Sequence, residues 1–375
     1  MKHIKILLIG ICCLMGMMSN ARAQKQIREI IPEAVMKKIY EEIKTPYKYG
    51  LVMAPSSDST TADCPSVFRM DDKWYMVYVV FNGRGYETWL AKSENLLDWQ
   101  TMGRILSFSS DTARWDCNQV AGFISLQDYN WGKTYELQKY ASRYWMSYLG
   151  GKLKGFEPLP LSIGIAYTKK NPSLVHEWKR LPKPVLTSAN PGVRWWENTT
   201  LYKSNIIWDK KKTTGYPFVM YYNANGDSSG INRHIERIGM AVSNDMIHWR
   251  RFGANPVLDH HKGITGDPQI QKIGNIWVMF YFGAFWPHGK SDGAFNNFAC
   301  SYDLVHWTDW TGSRLVYPSE PFDDRYAHKP WVIRYKGVVY HYYVAVNKKG
   351  QRGIAVATSK DLGKSKVRFV CLPID

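Results

Sequence analysis

The sequence predicts an all-β fold, a five-bladed β-propeller preceded by a short N-terminal helix, and three observations carry that expectation. A strand of aromatic and β-branched residues recurs at 74–78, 144–148, 218–222, 276–280 and 339–343. Each copy is followed by a strand of small and apolar residues, at 88–91, 163–166, 238–241, 298–300 and 353–356. After four of them comes a turn that ends in tryptophan, at Trp99, Trp178, Trp249 and Trp307, whereas the fifth stops at Asp361-Leu362. Such short strands cannot bury both faces alone, so five units in one order imply blades packed radially around a channel. A β-sandwich would not account for five copies of one internal order. An open ring would expose a strand edge, so closure is expected from pairing of 51–53 with 367–370.

Ahead of the repeats, residues 27–43 place Ile30, Ile31, Ala34, Val35, Ile39 and Ile43 at helical spacing, and Thr45-Pro46 should end that helix. The chain opens on Lys2 and Lys5, an apolar run from Ile6 to Met18, and Ala21-Arg22-Ala23, the pattern of a secretory leader. The expected organisation is therefore a leader over 1–23, a helix and linker over 24–46, and the propeller over 47–375. A secreted or periplasmic location follows. No later apolar stretch approaches the ~20 residues of a membrane span.

Removal of the leader lowers the formal net charge from +17 to about +14. A basic surface of this size suits an acidic polysaccharide, and export argues against nucleic acid as a partner. Cys64, Cys117, Cys300 and Cys371 remain, with no spacing that suggests a metal site. Buried free thiols are expected of most of them, because a large core needs no staples; Cys64 and Cys117 are the pair placed to approach.

The innermost strand of each blade lines the channel, and its first residues converge at one mouth. Asp63 lies four residues before Val67, Asp116 four before Val120, Glu197 four before Leu201 and His328 four before Val332; Asp267 lies three before Ile270. A single such residue would be read as a turn-former or cap. Recurrence in five blades reads instead as a functional cluster facing one pocket.

With Ala62-Asp63-Cys64-Pro65-Ser66-Val67 opening the first blade, Glu197 the third, and the Ser-x-Asp-Leu-x-x-Trp turn at Ser301–Trp307, the chain resembles the five-bladed propeller glycoside hydrolases, the group that includes families 43, 117 and 130. The resemblance covers roughly residues 50–365 and implies a glycosidase acting on plant or algal oligo- and polysaccharides, leaning toward inversion. It casts Asp63 as base, Glu197 as acid and Asp116 as the carboxylate that orients or tunes, with Asp267 and His328 in support. The sequence has Asp63-Cys64-Pro65 where family 43 has Asp-Pro, and Glu197-Asn198-Thr199 where it has Glu-Gly-Pro, so no single family is assigned.

Around these groups stand candidate sugar contacts: Trp115, Trp196 and Trp331 as aromatic faces, with Trp196 foremost, and Arg194, Arg325 and Lys329 as cations that would pair with the carboxylates or hold an acidic group. Trp195, Trp286 and Arg69 lie near the same positions. No cofactor is expected, and no residue set is assigned to a metal; a channel cation such as calcium is implied by the resemblance alone. A glycoside phosphorylase and a non-catalytic carbohydrate-binding propeller are the competing readings.

Overall fold

The structure, a computed structural model, describes residues 30–55, 57, 59–226, 235–286 and 293–370. The leader and Cys371 lie outside the described residues. Helix α1 (Glu33–Ile43) leaves residues 30–32 of the expected 27–43 helix outside it, and 27–29 lie outside the described residues. Pro32 is the reason: it holds Ile31 extended, while its own carbonyl accepts from Val35 and Met36 to start the first turn. The helix ends, as expected, before Thr45-Pro46. It buries Met36, Ile39 and Ile43 among Val278, Phe298 and Val332, side chains of the fourth and fifth blades.

Among the described residues, twenty strands form the blades. Blade 1 holds β2 (Thr61–Met70), β3 (Lys73–Phe81), β4 (Tyr86–Ser93) and β5 (Gln100–Leu106). Blade 2 holds β6 (Gln119–Ile124), β7 (Tyr144–Gly151), β8 (Ser162–Thr168) and β9 (Lys179–Arg180). Blade 3 holds β10 (Thr200–Trp208), β11 (Phe218–Asn225), β12 (Glu236–Ser243) and β13 (Trp249–Arg251). Blade 4 holds β14 (Gly263–Ile273), β15 (Ile276–Phe285), β16 (Phe295–Ser301) and β17 (Thr308–Asp309). A single parallel bridge, Glu236↔Ile264, ties blade 3 to blade 4.

Blade 5 is completed by the start of the chain: β18 (Tyr326–Tyr335), β19 (Val338–Val346) and β20 (Arg352–Thr358) are joined by β1 (Tyr47–Met53). Leu51 faces Ala355 across that last ladder. The expected N-terminal segment thus closes the ring, but against β20 and not against 367–370, which forms no strand. Since β1 already covers the β20 edge, the following residues run outside it, with Ser365 donating to the carbonyls of Tyr49 and Leu51.

The tryptophan turn has a local cause. Ser93 Oγ accepts from the amides of Asn95 and Leu96, Asn95 Oδ1 accepts from Leu97 and Asp98, and the Trp99 indole donates to the Leu96 carbonyl. The same pattern recurs at Ser243–Trp249 and Ser301–Trp307, with Leu96, Met246 and Leu304 at φ near 70° and fully buried. Neighbouring blades grip these turns: Tyr342 donates to the Leu96 carbonyl and Tyr221 to that of Leu304, each at 2.6 Å.

Cys64, Cys117 and Cys300 are buried thiols; Cys64 and Cys117 are not bridged. No described helix is long and apolar enough to cross a membrane.

His341, on β19, is fully buried, and neither ring nitrogen has a hydrogen-bond partner among the described residues. Burial pushes its pKa from 6.5 down to about 3. The stability that comes from keeping the ring neutral is complete above pH 6.5 and is lost as the pH falls toward 3, because the unfolded chain takes up the proton first. Replacing His341 with Leu removes two unsatisfied polar atoms and should stabilise the fold by about 1–3 kcal/mol. Calorimetric melts at pH 7 and pH 4.5 should show the gain growing at the lower pH; an equal or negative shift would contradict this.

Candidate active site

The mouth of the channel is built by a repeated backbone irregularity. On β2, β14 and β18 one extra residue is inserted opposite the partner strand, between Asp63 and Ser66, Gly266 and Gln269, and His328 and Trp331. Each bulge is an X-Pro pair whose first member sits at positive φ: Cys64 at 48°, Asp267 at 54° and Lys329 at 57°. None is glycine, and such a backbone costs about 1–3 kcal/mol per residue. Bulges re-aim side chains, and here Cys64, Asp267 and Lys329 all line one central cavity of about 330 Å³. On β10 the bulge falls at Tyr202-Lys203, and both residues reach the same cavity. Strand β6 has no bulge and contributes Ala121 and Phe123.

A second ring of residues comes from the starts of the third strands: Tyr86 on β4, Glu236 on β12 and Arg352 on β20. The β7–β8 loop adds Phe156 and Glu157. Phe282, Trp286 and Tyr326 supply apolar wall.

The charges in this pocket are paired. Asp63, fully buried just behind the lining, accepts from Arg352 at 2.6 Å and from the Cys64 amide at 2.8 Å, with Lys329 at 3.2 Å. Burial alone would raise its pKa, yet Lys329 and Arg352 hold the carboxyl far below the usual range. Lys329 also lies 3.6 Å from Glu157, whose other contact is the Tyr86 hydroxyl at 3.0 Å. Lys203, 3.6 Å from Asp267, is 2 % exposed and its ammonium donates no hydrogen bond among the described residues.

Two carboxyls are pushed the other way. Burial, opposed by Lys203 and Lys329, raises Asp267. Burial raises Glu236 to about 8; a 2.6 Å bond from the Asn223 amide opposes the rise, while the nearby charges of Glu157 and Asp267 add to it. The two oxygen sets thus divide into a locked carboxylate, Asp63, and a carboxylic acid that keeps its proton at neutral pH, Glu236. His328 is held neutral by burial and by Arg352 and Lys329. Its Nδ1 faces the Val344 carbonyl at 3.0 Å, so that nitrogen carries the proton and Nε2 is left as an acceptor.

Of the five residues read as one cluster, the structure brings Asp63, Asp267 and His328 to the pocket. Asp116 and Glu197 are elsewhere. Asp116 is saturated by Arg114 at 2.8 and 2.9 Å, Arg180 at 3.2 Å and the Tyr148 hydroxyl at 2.7 Å. Glu197, in a single helical turn before β10, is ion-paired to Arg251 at 2.6 Å and accepts from the Arg194 amide at 3.1 Å and the Tyr222 hydroxyl at 2.5 Å. Both are fully buried and neither lines the cavity. Counting back four residues assumed a constant offset. That offset fails where β6 lacks the bulge and where the bulge of β10 follows Leu201.

Among the proposed sugar contacts, Lys329 lines the pocket and the others do not. Trp196 and Trp331 are buried, the first stacked on Tyr222 and the second donating to the Val67 carbonyl at 3.0 Å. Trp115 stacks on Tyr148 within blade 2. Arg194 donates to the Gly253 carbonyl, and exposed Arg325 lies over Tyr326. Trp195 is exposed beneath Arg237, Arg69 pairs with Asp72 at the far end of β2, and Trp286 does line the pocket.

Glu157, Glu236, Arg352, Lys203, Tyr86 and Tyr202 were not singled out from the sequence. A polar residue just before each small-residue strand, Tyr86, Glu236 and Arg352, was the available signal. Calcium asks for about six to eight oxygen ligands, and in this pocket Asp63, Glu157 and Asp267 each already face an ammonium or guanidinium group.

A comparison with protein-family models finds no match, and neither does one with curated proteins. Among solved structures, the chain is 52% identical to one described as a complex of BT0996 with RGII, with a TM-score of 0.87 over 90% of this chain and 98% of that one. It is equally similar, at 52% identity and a TM-score of 0.87, to a protein described as a glycoside hydrolase, over 91% of this chain and 99% of that one. A thermostable family-43 glycoside hydrolase, 17% identical with a TM-score of 0.54 over 85% of this chain and 97% of that one, shares the fold. At half the residues identical over nearly the whole length, this chain belongs to the glycoside hydrolases and is a glycosidase.

Proposed function

We propose that the protein hydrolyses a glycosidic bond in a plant pectic oligosaccharide, with Glu236 as the proton donor and Glu157 as the catalytic carboxylate. The observation that carries this reading is the raised pKa of Glu236, about 8, in a pocket it shares with Glu157. A glycosidase needs one protonated and one ionised carboxyl facing the same bond. Glu236 would give its proton to the leaving oxygen as the C–O bond breaks. Glu157, oriented by Lys329 and the Tyr86 hydroxyl, would take a proton from the water that forms the new bond to the sugar carbon. That single displacement is the inverting course the family resemblance implies.

Asp63 serves a different end in this reading. Its oxygens are occupied by Arg352, Lys329 and the Cys64 amide, so it fixes the two cations and does not touch substrate. Asp267 contributes the like charge that keeps Glu236 protonated. The pectic substrate class is supported by the 52% identical relative described in complex with RGII, rhamnogalacturonan II. A small cavity walled by Phe156, Phe282, Trp286 and Tyr326 suits the end of a chain, and so favours removal of a terminal sugar. A phosphorylase is disfavoured, because each of Lys203, Lys329 and Arg352 already has a carboxylate partner that inorganic phosphate would have to displace. Export remains part of the proposal: a polysaccharide substrate and the leader-like N-terminus require the same location.

Replacing Glu236 with Gln should lower hydrolysis of natural oligosaccharides by about 10²-fold or more and hydrolysis of activated aryl glycosides far less, since a good leaving group needs little protonation. Glu157→Gln should depress both substrate types. Near-wild-type turnover by either folded variant would remove that residue from the mechanism. Asp116→Asn and Glu197→Gln should act on stability alone: melting temperature lower by about 5 °C or more, with kcat/KM within about threefold of wild type. A loss of about 10²-fold or more in the folded Glu197 variant would return the acid role to that residue.

A further inference from the structure

We infer that the outer wall between blades 4 and 5 carries a second carbohydrate-binding site, separate from the active site and selective for uronic-acid-containing chains. A groove of about 450 Å³ opens there between the end of α1, the start of β1, the 313–320 segment and the 361–364 segment. It shares no lining residue with the central pocket.

Two features of this groove are those a sugar acid needs. The first is aromatic surface left in water: Tyr47 is 46% and Tyr317 53% exposed, although both line a concavity that could have hidden them. Tyr40, which also lines the groove, is fixed by stacking on Trp310, whose ring stacks in turn on Phe298. Rigid tyrosine faces receive the C–H surface of a pyranose at little entropic cost. The second feature is charge. Lys44, Lys48, Arg314 and Lys364 line the groove against Glu320 and Asp361. Lys48 is consumed internally by Asp323 and the Tyr317 carbonyl, which seats the Tyr317 backbone. Exposed Lys364 is different: it donates to the Lys48 carbonyl at 2.9 Å and has no carboxylate within ion-pair distance among the described residues. It also weakens the neighbouring Lys48 ammonium by like-charge repulsion, on top of the larger effect of burial. A bound carboxylate would relieve that repulsion and take a charge-assisted hydrogen bond.

A neutral glycan could use the tyrosines but would offer the lysine only hydroxyl oxygens, without the charge-assisted bond a carboxylate makes. A simple anion could use the lysine but not the rings. The combination selects a polymer bearing both, a uronate chain. Such a site would hold a polymeric substrate near the active site by effective concentration, without contacting the bond that is cleaved.

The test is affinity electrophoresis of the full-length protein in gels containing polygalacturonate, or neutral arabinan as the control, for wild type and the Tyr317→Ala/Lys364→Ala variant. Wild type should be retarded by polygalacturonate at low salt and released at about 0.5 M salt, where surface charge is screened. The variant should bind about tenfold more weakly while hydrolysing a small aryl glycoside at the wild-type rate. Lys364→Arg should retain the retardation. Equal retardation of wild type and variant, equal retardation by arabinan, or no retardation of wild type would each overturn the inference. Loss of the aryl glycoside activity in the variant would also overturn it, by showing that the groove is not independent of the active site.

Discussion

The buried carboxylate of Asp63 is the constraint on which the ring and the pocket both depend. It sits on the first blade with no exposure to water, and its compensating cations, Lys329 and Arg352, come from the last blade. A buried charge of this kind must be paired, and removing one partner typically costs about 3–5 kcal/mol. The seam where chain start meets chain end is therefore also where the electrostatics of the active site are set. Backbone closure by β1 on β20 within blade 5, and the Trp331 indole on the Val67 carbonyl and the Tyr342 hydroxyl on the Leu96 carbonyl between blades 5 and 1, hold the same closure.

Once Asp63 has fixed Lys329 and Arg352, the rest of the pocket follows by charge balance. Burial, with the two cations, keeps His328 neutral, and Lys329 reaches Glu157. Lys203 offsets Asp267, which leaves Glu236 with an amide partner and two like-charged neighbours. Of the described pocket carboxyls it is the one without a cation in contact, so burial, which also raises Asp267 against the pull of Lys203 and Lys329, meets no ion pair at Glu236. The strained backbone at Cys64, Asp267 and Lys329 places these groups, since an unbulged strand would alternate side chains away from the channel.

The architecture was legible in the sequence because blades repeat. Strand order, the helix, its proline stop and the tryptophan turns all follow from periodicity and from Ser, Asp and Pro chemistry that acts within a few residues. The site was legible only where the repeat itself carried it. Asp63, Asp267, His328 and Lys329 stand at or beside X-Pro bulges on inner strands. Glu157 and Glu236 lie on a hairpin loop and a third-strand start, positions that the repeat leaves free to vary. Asp116 and Glu197 looked equivalent to Asp63 because sequence spacing does not reveal where a bulge inserts its extra residue. Arg114 and Arg194 lie within three residues of them, but the arginines that come from outer strands, Arg180 and Arg251, are connected to them by no local pattern.

The account stands or falls on Glu236 holding its proton at neutral pH because of its buried, like-charged surroundings. The most direct measurement is kcat/KM against pH on an unactivated pectic oligosaccharide, for wild type and for Asp267→Asn. Activity should fall as the pH rises through about 8 in wild type, because the acid must be protonated to act. In the variant the descending limb should move to lower pH, since one of the charges that disfavours ionisation of Glu236 is gone. A wild-type profile with no descending limb between about pH 6 and pH 10, or a limb that Asp267→Asn leaves in place, would contradict the account.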